Sequence, residues 1–515
     1  MRRLNRSRVL QHLALIALAG GISACNVHTH HKRVGPPGSD HRPNIVMLMT
    51  DDEAVGDMIA MPLTNDLIGG QGVTFANSFA SWPLCCPSRA TAFTGQYAHN
   101  HNVLGNYPPA GSAASFRTDD DALAVWLQRS GYATAHIGKY LNGYGADRRG
   151  PRYVPPGWDK WLGLVDPTTY RMWGYTINDD GHDKTYGEEH HEDPELYQTD
   201  VLDHLALGEI DELAQQGDPF FLSVAYLAPH EEVGELAPPG TAYPGPRPAP
   251  RHKGSLKDLA LPRPPNFDEA DLSDKPPVVV DFAHVFDHET MEQRTSRYQR
   301  RLESLRAVDE SVRDIVQRLA ERNLLDNTYI VFTSDNGWFN GEHGIELNKF
   351  LMYEPSIRVP LMMRGPGIAA HQASQELVAN VDLAPTFMEI AGAKSGRVVD
   401  GRSLVPFAQD ATRHTHRPIL LDAPHEQLIF ATLHRKGGAL ILPAMRGLRT
   451  SHYSYVEYAS GDVELYDLVR DPDQMESLHK DPQHQALRDQ FHAALAAYST
   501  CSGDDCRKDI DAALY

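Results

Sequence analysis

Cysteine and positive charge are both scarce in this chain. Its 515 residues include five cysteines, and Lys and Arg together number 48 against 68 Asp and Glu, which gives a formal net charge of −20. Nucleic-acid-binding proteins depend on clustered Lys and Arg that neutralise phosphates, so this balance argues against that class. A polyanionic ligand would need locally concentrated positive charge or a bound metal ion. No internal repeat is apparent, which argues against a solenoid or a propeller.

Long apolar runs are also few, and one of them lies close to the N-terminus. Four arginines precede the run VLQHLALIALAGG, which is too short to span a bilayer and predicts an export signal over residues 1–24. The following ISAC resembles the lipobox of bacterial lipoproteins and predicts lipidation at Cys25, with cleavage of an ordinary signal as the alternative. Residues 25–42 predict a polar tether. We expect an exported protein in the cell envelope, attached to the membrane by its lipid anchor only; a secreted or periplasmic soluble protein is the alternative.

Several apolar, strand-like runs stop at a polar residue that can do chemistry. These runs are NIVMLMT before Asp51 and Asp52, ATAHIG before Lys139, FFLSVAYLAP before His230, and TYIVFTS before Asp335 and Asn336. Continuous apolar runs fit strands that are buried on both faces, as in a parallel sheet flanked by helices. The carboxyl ends of parallel strands meet at one edge of a sheet, so the pattern predicts a single site there. Each of these residues, taken alone, could instead cap a neighbouring strand.

Two of the five cysteines are adjacent, in the stretch SWPLCCPSRATAFTG. Pro87 suits the first turn of a helix, which places Cys85 at a helix N-terminus, where free N–H groups favour an anion or a thiolate. Arg89 lies one turn further and could hold an anion with two hydrogen bonds. A catalytic thiol would need a base and would leave the carboxylates unexplained.

The chain resembles the formylglycine-dependent sulfatases of the alkaline-phosphatase-like superfamily. The resemblance is carried by CCPSRATAFTG, NIVMLMTDDEAVGDM, GKYLNGYG, APHEE, FTSDNGWFNGEHG, NKFLMYEPSIRVPLMMRGPG and ELYDLVRDPDQMESL. CCPSR, GKYLN and the closing cysteine pair are most similar to the N-acetylglucosamine-6-sulfatase branch. The resemblance implies an α/β catalytic domain over residues 43–412, with a large, mostly parallel sheet flanked by helices. It also implies a smaller α+β domain over residues 413–515.

The resemblance also implies the chemistry of the site. A formylglycine-generating or other sulfatase-maturing enzyme would oxidise Cys85 to formylglycine, whose hydrate attacks sulfur, while Cys86 would be a packed thiol; a vicinal disulfide is the alternative. Calcium is implied, and an all-oxygen set of ligands suits such a hard cation. The implied ligands are Asp51, Asp52, Asp335, Asn336 and the modified Cys85. The implied catalytic roles are orientation of formylglycine by Arg89, neutralisation of sulfate oxygens by Lys139 and Lys349, and protonation of the leaving oxygen or binding of sulfate by His230.

The implied reaction is hydrolysis of a sulfate ester on a sulfated carbohydrate, with 6-O-sulfated N-acetylglucosamine or a related sugar as substrate. Many sulfatases have a histidine shortly after the Gly-Lys pair, where this chain has Asn142. Asn142 and His343 are candidate substrate contacts, with loop packing as the alternative for both. Cys501 and Cys506 could bridge a small loop or remain free thiols. Two other functions stay open: a phosphonate or phosphate ester hydrolase of the same superfamily, and a non-catalytic lipoprotein that binds sulfated glycans.

Overall fold

The computed structural model describes residues 40–232, 245–285, 289–346, 348–430 and 439–515. The predicted export signal, the lipidation at Cys25 and most of the predicted tether lie outside the described residues, so all three remain predictions. Within the described ranges, no helix combines the length and the apolar character that a membrane span requires.

Ten strands form one mixed sheet. In chain order they are β1 (Asn44–Asp51), β2 (Val73–Phe79), β3 (Ala133–Gly138), β4 (Lys160–Leu164), β5 (Tyr175–Asp179), β6 (His182–Tyr186), β7 (Phe220–Pro229), β8 (Thr328–Ser334), β9 (Leu361–Arg364) and β10 (Gln372–Ala379). Their order across the sheet is β10-β2-β9-β8-β1-β7-β3-β4-β5-β6. Strands β5 and β9 run antiparallel to their neighbours, and the other eight share one direction. The prediction of a large, mostly parallel sheet is confirmed.

The central strand β1 shows why the apolar runs are continuous. All eight of its residues are buried. Successive side chains of a strand point to opposite faces of the sheet. Val46 and Leu48 therefore pack into the core on one face, while Ile45, Met47 and Met49 pack into the core on the other. Burial on both faces explains the unbroken apolar run in the middle of the strand, as in the predicted parallel sheet.

Helices cover both faces of this sheet. The α-helices of the described chain are α1 (Pro62–Thr64), α2 (Cys85–Thr94), α3 (Ala98–His101), α4 (Leu123–Arg129), α5 (Gln198–Gln216), α6 (Pro277–Val285), α7 (Met291–Glu321), α8 (Glu354–Ile357), α9 (Leu383–Ala391), α10 (Val405–Gln409) and α11 (Gln485–Tyr498). Helices α5 and α7 contribute to the core on one face, and α2, α4 and α9 contribute to the core on the other. Helix α7 begins at a capping box, in which Thr290 accepts from the Gln293 backbone N–H and the Gln293 side chain accepts from the Thr290 N–H.

The C-terminal part of the chain contains a smaller antiparallel sheet. Six further strands are β11 (Ile419–Ala423), β12 (Gln427–Phe430), β13 (Ala439–Leu442), β14 (Met445–Arg449), β15 (Tyr453–Tyr458) and β16 (Val463–Asp467). Four of them form the sheet β11-β14-β15-β16, and β12 pairs with β13. Helix α11 packs on this sheet, with the ring centroids of Phe491 and Tyr455 5.4 Å apart. The predicted small α+β part is confirmed, while its boundary at residues 412/413 stays a prediction.

A disulfide joins Cys501 and Cys506 after α11, and their Cα atoms are 5.1 Å apart. It closes the short loop that the sequence CSGDDC offered for a bridge.

Candidate active site

The candidate site lies at the carboxyl ends of four neighbouring strands, β8, β1, β7 and β3. The residues that follow these strands are in contact despite their separation in the chain. Asn336 Nδ2 donates to Asp52 Oδ1 at 2.7 Å, and the Asp52 backbone N–H donates to Asp335 Oδ1 at 3.2 Å. His230 Nε2 lies 3.6 Å from Asp52 Oδ2. The structure thus brings the strand-end residues into one cluster, as expected for parallel strands.

The backbone at Asp52 explains how two consecutive aspartates reach the same cluster. Neighbouring residues of a regular strand would point to opposite faces. Asp52 has a φ of +69°, in the left-handed region, and the pairing of β1 with β7 shifts register between Met49 and Asp51. This turn takes the chain out of the strand. Asp51 and Asp52 are both fully buried in the site as a result.

Cys85 is the first residue of α2 and faces the carboxylates. Its Sγ lies 3.6 Å from Asp51 Oδ1 and 2.9 Å from Lys349 Nζ, and the residue is 1% exposed. Burial raises the pKa of the Cys85 thiol to about 12, although Lys139 and Lys349 favour the thiolate. The helix N-terminus favours a thiolate at this position, but desolvation acts in the opposite direction and outweighs the attraction of the cations.

Three buried cations surround the cluster. Arg89 Nε donates to Asp335 Oδ2 at 2.7 Å, and its two terminal nitrogens donate to Asp51 Oδ2 at 3.2 Å and to the Lys139 carbonyl at 2.8 Å. The Lys139 ammonium donates to the Asp51 carboxylate. The Lys349 ammonium donates to the Asp52 carboxylate. Arg89 therefore links the ends of β1, β3 and β8.

The ion pair between Asp51 and Lys139 remains charged despite its burial. Burial alone would raise the pKa of Asp51, but the charges of Lys139, of His230 where it is protonated, and of Arg89 reverse that effect and hold the pKa below its usual value. Burial likewise opposes the charge of Lys139, and the facing Asp51 raises the pKa of Lys139 in spite of it. The site thus keeps fixed positive charge beside Cys85, where an anionic substrate group could bind.

His230 reaches the cluster from the end of β7. Its Nδ1–H donates to the Glu231 carbonyl at 2.7 Å, which leaves Nε2 as the nitrogen facing Asp52. Burial lowers the pKa of His230, against the opposing charges of Asp52 and Asp51. The neutral imidazole can therefore accept a hydrogen bond or bind a cation through Nε2.

The oxygen atoms of the cluster suit a hard cation, whereas the Cys85 sulfur and the His230 nitrogen in the same cluster are softer donors. Ligand atoms of Asp51, Asp52, Cys85 and His230 all lie within 4.8 Å of one another. Asp52 Oδ2 and Asn336 Oδ1 are buried and, within the described part of the chain, have no hydrogen-bond partner. Buried oxygens normally find a partner, and a cation that prefers oxygen ligands would provide one for both.

The other sequence candidates take separate places. Cys86 is the second residue of α2, and its side chain is fully buried in an apolar core. Cys85 and Cys86 are both free thiols, so the structure does not contain the vicinal disulfide. His343 is also fully buried, and its Nδ1 contacts Glu269 Oε2 at 2.6 Å. This contact supports the alternative of loop packing at His343, and a substrate contact gains no support from it. Asn142 Nδ2 donates to the Tyr170 hydroxyl at 2.6 Å, beside the cluster.

Sequence reasoning missed Arg301, which comes from the middle of α7. Its guanidinium donates to the Asp52 carbonyl at 2.6 Å and to the Pro229 carbonyl at 3.2 Å. It also lies over the Trp338 ring, 4.6 Å from the centroid. Arg301 is fully buried and holds together the two strand ends that carry Asp52 and His230. One signal could have identified it: an arginine on the apolar face of α7, three residues after Tyr298 and four before Leu305.

Replacing Arg301 with methionine should destabilise the protein by about 3–5 kcal/mol, because two buried carbonyls and Asp57 lose their cationic partner. Thermal unfolding would measure this loss. Arg313→Met on the same helix is the matched control, since Arg313 is 44% exposed and should change stability by less than about 0.5 kcal/mol. Equal unfolding temperatures for the two variants would contradict the structural role of Arg301.

Comparison with protein-family models and with curated proteins shows which family this chain belongs to. The sulfatase family model matches residues 43–393, and a second model, described as N-sulphoglucosamine sulphohydrolase, C-terminal, matches residues 341–500. N-acetylglucosamine-6-sulfatase of Homo sapiens is 32% identical over 505 residues, which cover 92% of this chain and 87% of the human protein.

Two solved structures share the fold. A structure described as a complex with its substrate, D-glucosamine-2-N,6-O-disulfate, has a TM-score of 0.69 at 23% identity and covers 88% of this chain and 97% of its own. The phosphonate monoester hydrolase of Agrobacterium radiobacter has a TM-score of 0.65 at 22% identity, and the match covers 88% of this chain and 95% of that chain. The fold alone therefore accommodates both chemistries. The family match and the identity to a curated sulfatase are specific, and this chain belongs to the sulfatase family of sulfuric ester hydrolases.

Proposed function

We propose that this sulfatase hydrolyses the sulfate ester of a sulfated sugar, with terminal 6-O-sulfated N-acetylglucosamine, or short oligosaccharides that carry it, as the preferred substrate. The observation that carries the proposal is the ring of buried cations, Arg89, Lys139 and Lys349, around Cys85 and the carboxylates. A sulfate group would meet two ammonium groups beside the reacting residue. The proposal also includes formylglycine at position 85 and a bound calcium ion.

Each residue of the site has a role in this reaction. Hydrated formylglycine would supply two hydroxyl groups, one to attack sulfur and one to release sulfate as the aldehyde re-forms. Asp51, Asp52, Asp335 and Asn336 would hold calcium, which polarises sulfate oxygens. Lys139 and Lys349 neutralise charge on those oxygens, and Arg89 orients residue 85. His230 would donate from Nε2 to the sulfate or to the leaving oxygen in its protonated form, because its Nδ1–H is already bonded to the Glu231 carbonyl.

Charge favours a small substrate over a long polymer. The formal charge of −20 would repel a highly sulfated chain everywhere outside the ring of cations. The human relative is named for action on N-acetylglucosamine 6-sulfate, and one solved structure of the same fold is described with a disulfated glucosamine as its substrate. These names support an amino sugar with a primary sulfate ester. We place the enzyme outside the cytoplasm, anchored by Cys25, on the basis of its N-terminal sequence pattern.

Specificity constants test the substrate directly. We expect kcat/KM to be highest for N-acetylglucosamine 6-sulfate or a short oligosaccharide that carries it, and lower for an intact glycosaminoglycan and an aryl sulfate. A matched aryl phosphonate or phosphate ester should release little product, which separates sulfatase from phosphonate hydrolase activity. Clear superiority of the aryl sulfate or of the intact polymer would overturn the proposed substrate. Binding without turnover by mature, calcium-loaded protein would instead support the non-catalytic alternative.

A further inference from the structure

A tyrosine that no sequence motif singled out lies beside the predicted catalytic residues. Tyr170 ends a 3-10 turn, Thr168–Tyr170, between β4 and β5. Its ring centroid is 5.0 Å from that of His230, and Lys139 Nζ lies 4.9 Å from the same centroid. Tyr170 therefore borders the part of the site where sulfate and the leaving oxygen would bind.

The hydrogen bonding of Tyr170 leaves its own proton available. Asn142 Nδ2 donates to the Tyr170 hydroxyl oxygen at 2.6 Å, so the hydroxyl acts as the acceptor in that contact. Among the described residues, none accepts a hydrogen bond from Tyr170. Burial raises the pKa of Tyr170 well above its ordinary value, and the negative charge of Asp166 adds to the effect. The hydroxyl can therefore donate a hydrogen bond to a group bound in the site.

Asn142 stands at the corner where many sulfatases have a histidine. Its amide cannot change charge or supply a proton, but it holds Tyr170 by its hydroxyl oxygen. The pair therefore provides a neutral donor, positioned from two segments, at the corner of the site next to Lys139.

We propose that Tyr170 is a further catalytic residue, whose O–H donates a hydrogen bond to the bridging oxygen of the sulfate ester, and that Asn142 is its positioning residue. The proposal rests on the proposed function of the site. The hydrated formylglycine would form a bond to sulfur as the bond between sulfur and the bridging oxygen breaks. The electron pair of the broken bond stays on the bridging oxygen, which becomes negatively charged and then takes a proton from protonated His230 or from water. The hydrogen bond stabilises this charge, and Tyr170 keeps its proton throughout.

The leaving group decides how much this hydrogen bond is worth. A sugar alkoxide holds its charge on one oxygen, whereas a nitrophenolate spreads the charge over its ring. Tyr170→Phe should therefore lower kcat for N-acetylglucosamine 6-sulfate by about 10- to 100-fold. It should lower kcat for 4-nitrophenyl sulfate by less than about threefold, and a role in structure alone would lower both equally.

Asn142→Ala offers a second test that leaves the tyrosine in place. We expect a smaller loss of about three- to tenfold on the sugar ester, again with little change on the aryl ester. In the Tyr170→Phe background, Asn142→Ala should add almost nothing, because its effect passes through the tyrosine hydroxyl. Additive losses would contradict the positioning role.

Tyr132→Phe is the matched control, because Tyr132 is buried and donates one hydrogen bond, to the Pro43 carbonyl, outside the site. It should leave both rates unchanged. Unfolding temperatures of all variants show whether any loss reflects misfolding. If wild-type enzyme turns over neither ester, the proposed function fails. If wild type turns over the sugar ester and Tyr170→Phe keeps that rate, or loses both rates equally, the assignment of Tyr170 is overturned.

Discussion

Cys85→Ala is expected to abolish sulfate release, by at least ~10³-fold, whereas Cys86→Ala is expected to retain most of it. The two side chains are neighbours in the chain but differ in surroundings. The side chain of Cys85 contacts Asp51 and Lys349, whereas the side chain of Cys86 is buried in the apolar core against which α2 packs. Loss of the first removes the predicted nucleophile. Loss of the second leaves a small cavity, which should cost about 1–2 kcal/mol of stability and little activity.

Mass spectrometry of the peptide that contains both cysteines provides the second readout. In the wild-type protein we expect formylglycine at position 85 and an unmodified thiol at position 86. In Cys86→Ala we expect formylglycine at position 85 as well. Cys86→Ala is the matched control, since it removes a buried thiol from the adjacent position. An unmodified Cys85 in fully active enzyme would refute the formylglycine mechanism.

Chelation should abolish turnover, and added calcium should restore it. Asp51, Asp52 and Asp335 are buried together, and the structure leaves Asp52 Oδ2 and Asn336 Oδ1 without hydrogen-bond partners among the described residues. Calcium would satisfy these oxygens and would also stabilise the fold by binding to it, by about 2.7 kcal/mol at a concentration a hundred times its Kd. A rise in unfolding temperature with calcium is therefore expected even without substrate.

Asp335→Ala tests which residues form this site. We expect the variant to lose both activity and the calcium-dependent rise in unfolding temperature, because it removes a ligand and the partner of Arg89. The control is Asp211→Ala, which removes a partly exposed carboxylate on α5. This variant should keep its activity and its calcium-dependent rise in unfolding temperature. A wild-type rate in Asp335→Ala would show that the site is misassigned.

The residues that sequence could place are those at strand ends. Strands β1, β7 and β8 are buried along their whole length, so their apolar runs mark where each strand stops. The rule that parallel strands end at one edge then brings Asp51, His230 and Asp335 together without any knowledge of the packing. The order of strands across the sheet was not needed for that step.

Residues that act through packing could not be placed in this way. The guanidinium of Arg301 meets the Asp52 carbonyl across 249 residues of chain, and its role depends on how α7 lies on the sheet. Tyr170 lies in a short turn that has no periodic pattern. The thiol of Cys85 shows a third case: helix position predicts a thiolate, but burial decides its ionisation and acts in the opposite direction.

The depth of Cys85 has a consequence for the order of events in biosynthesis. The thiol that the proposed mechanism requires to be oxidised is 1% exposed, at the first residue of a helix whose residues are all buried. A second enzyme that works on this side chain needs the segment around it extended and accessible. If Cys85 is converted to formylglycine, as we propose, we expect the oxidation to occur after the segment is synthesised and before α2 docks. If α2 docks before Cys85 is oxidised, the thiol is buried and the maturing enzyme can no longer reach it.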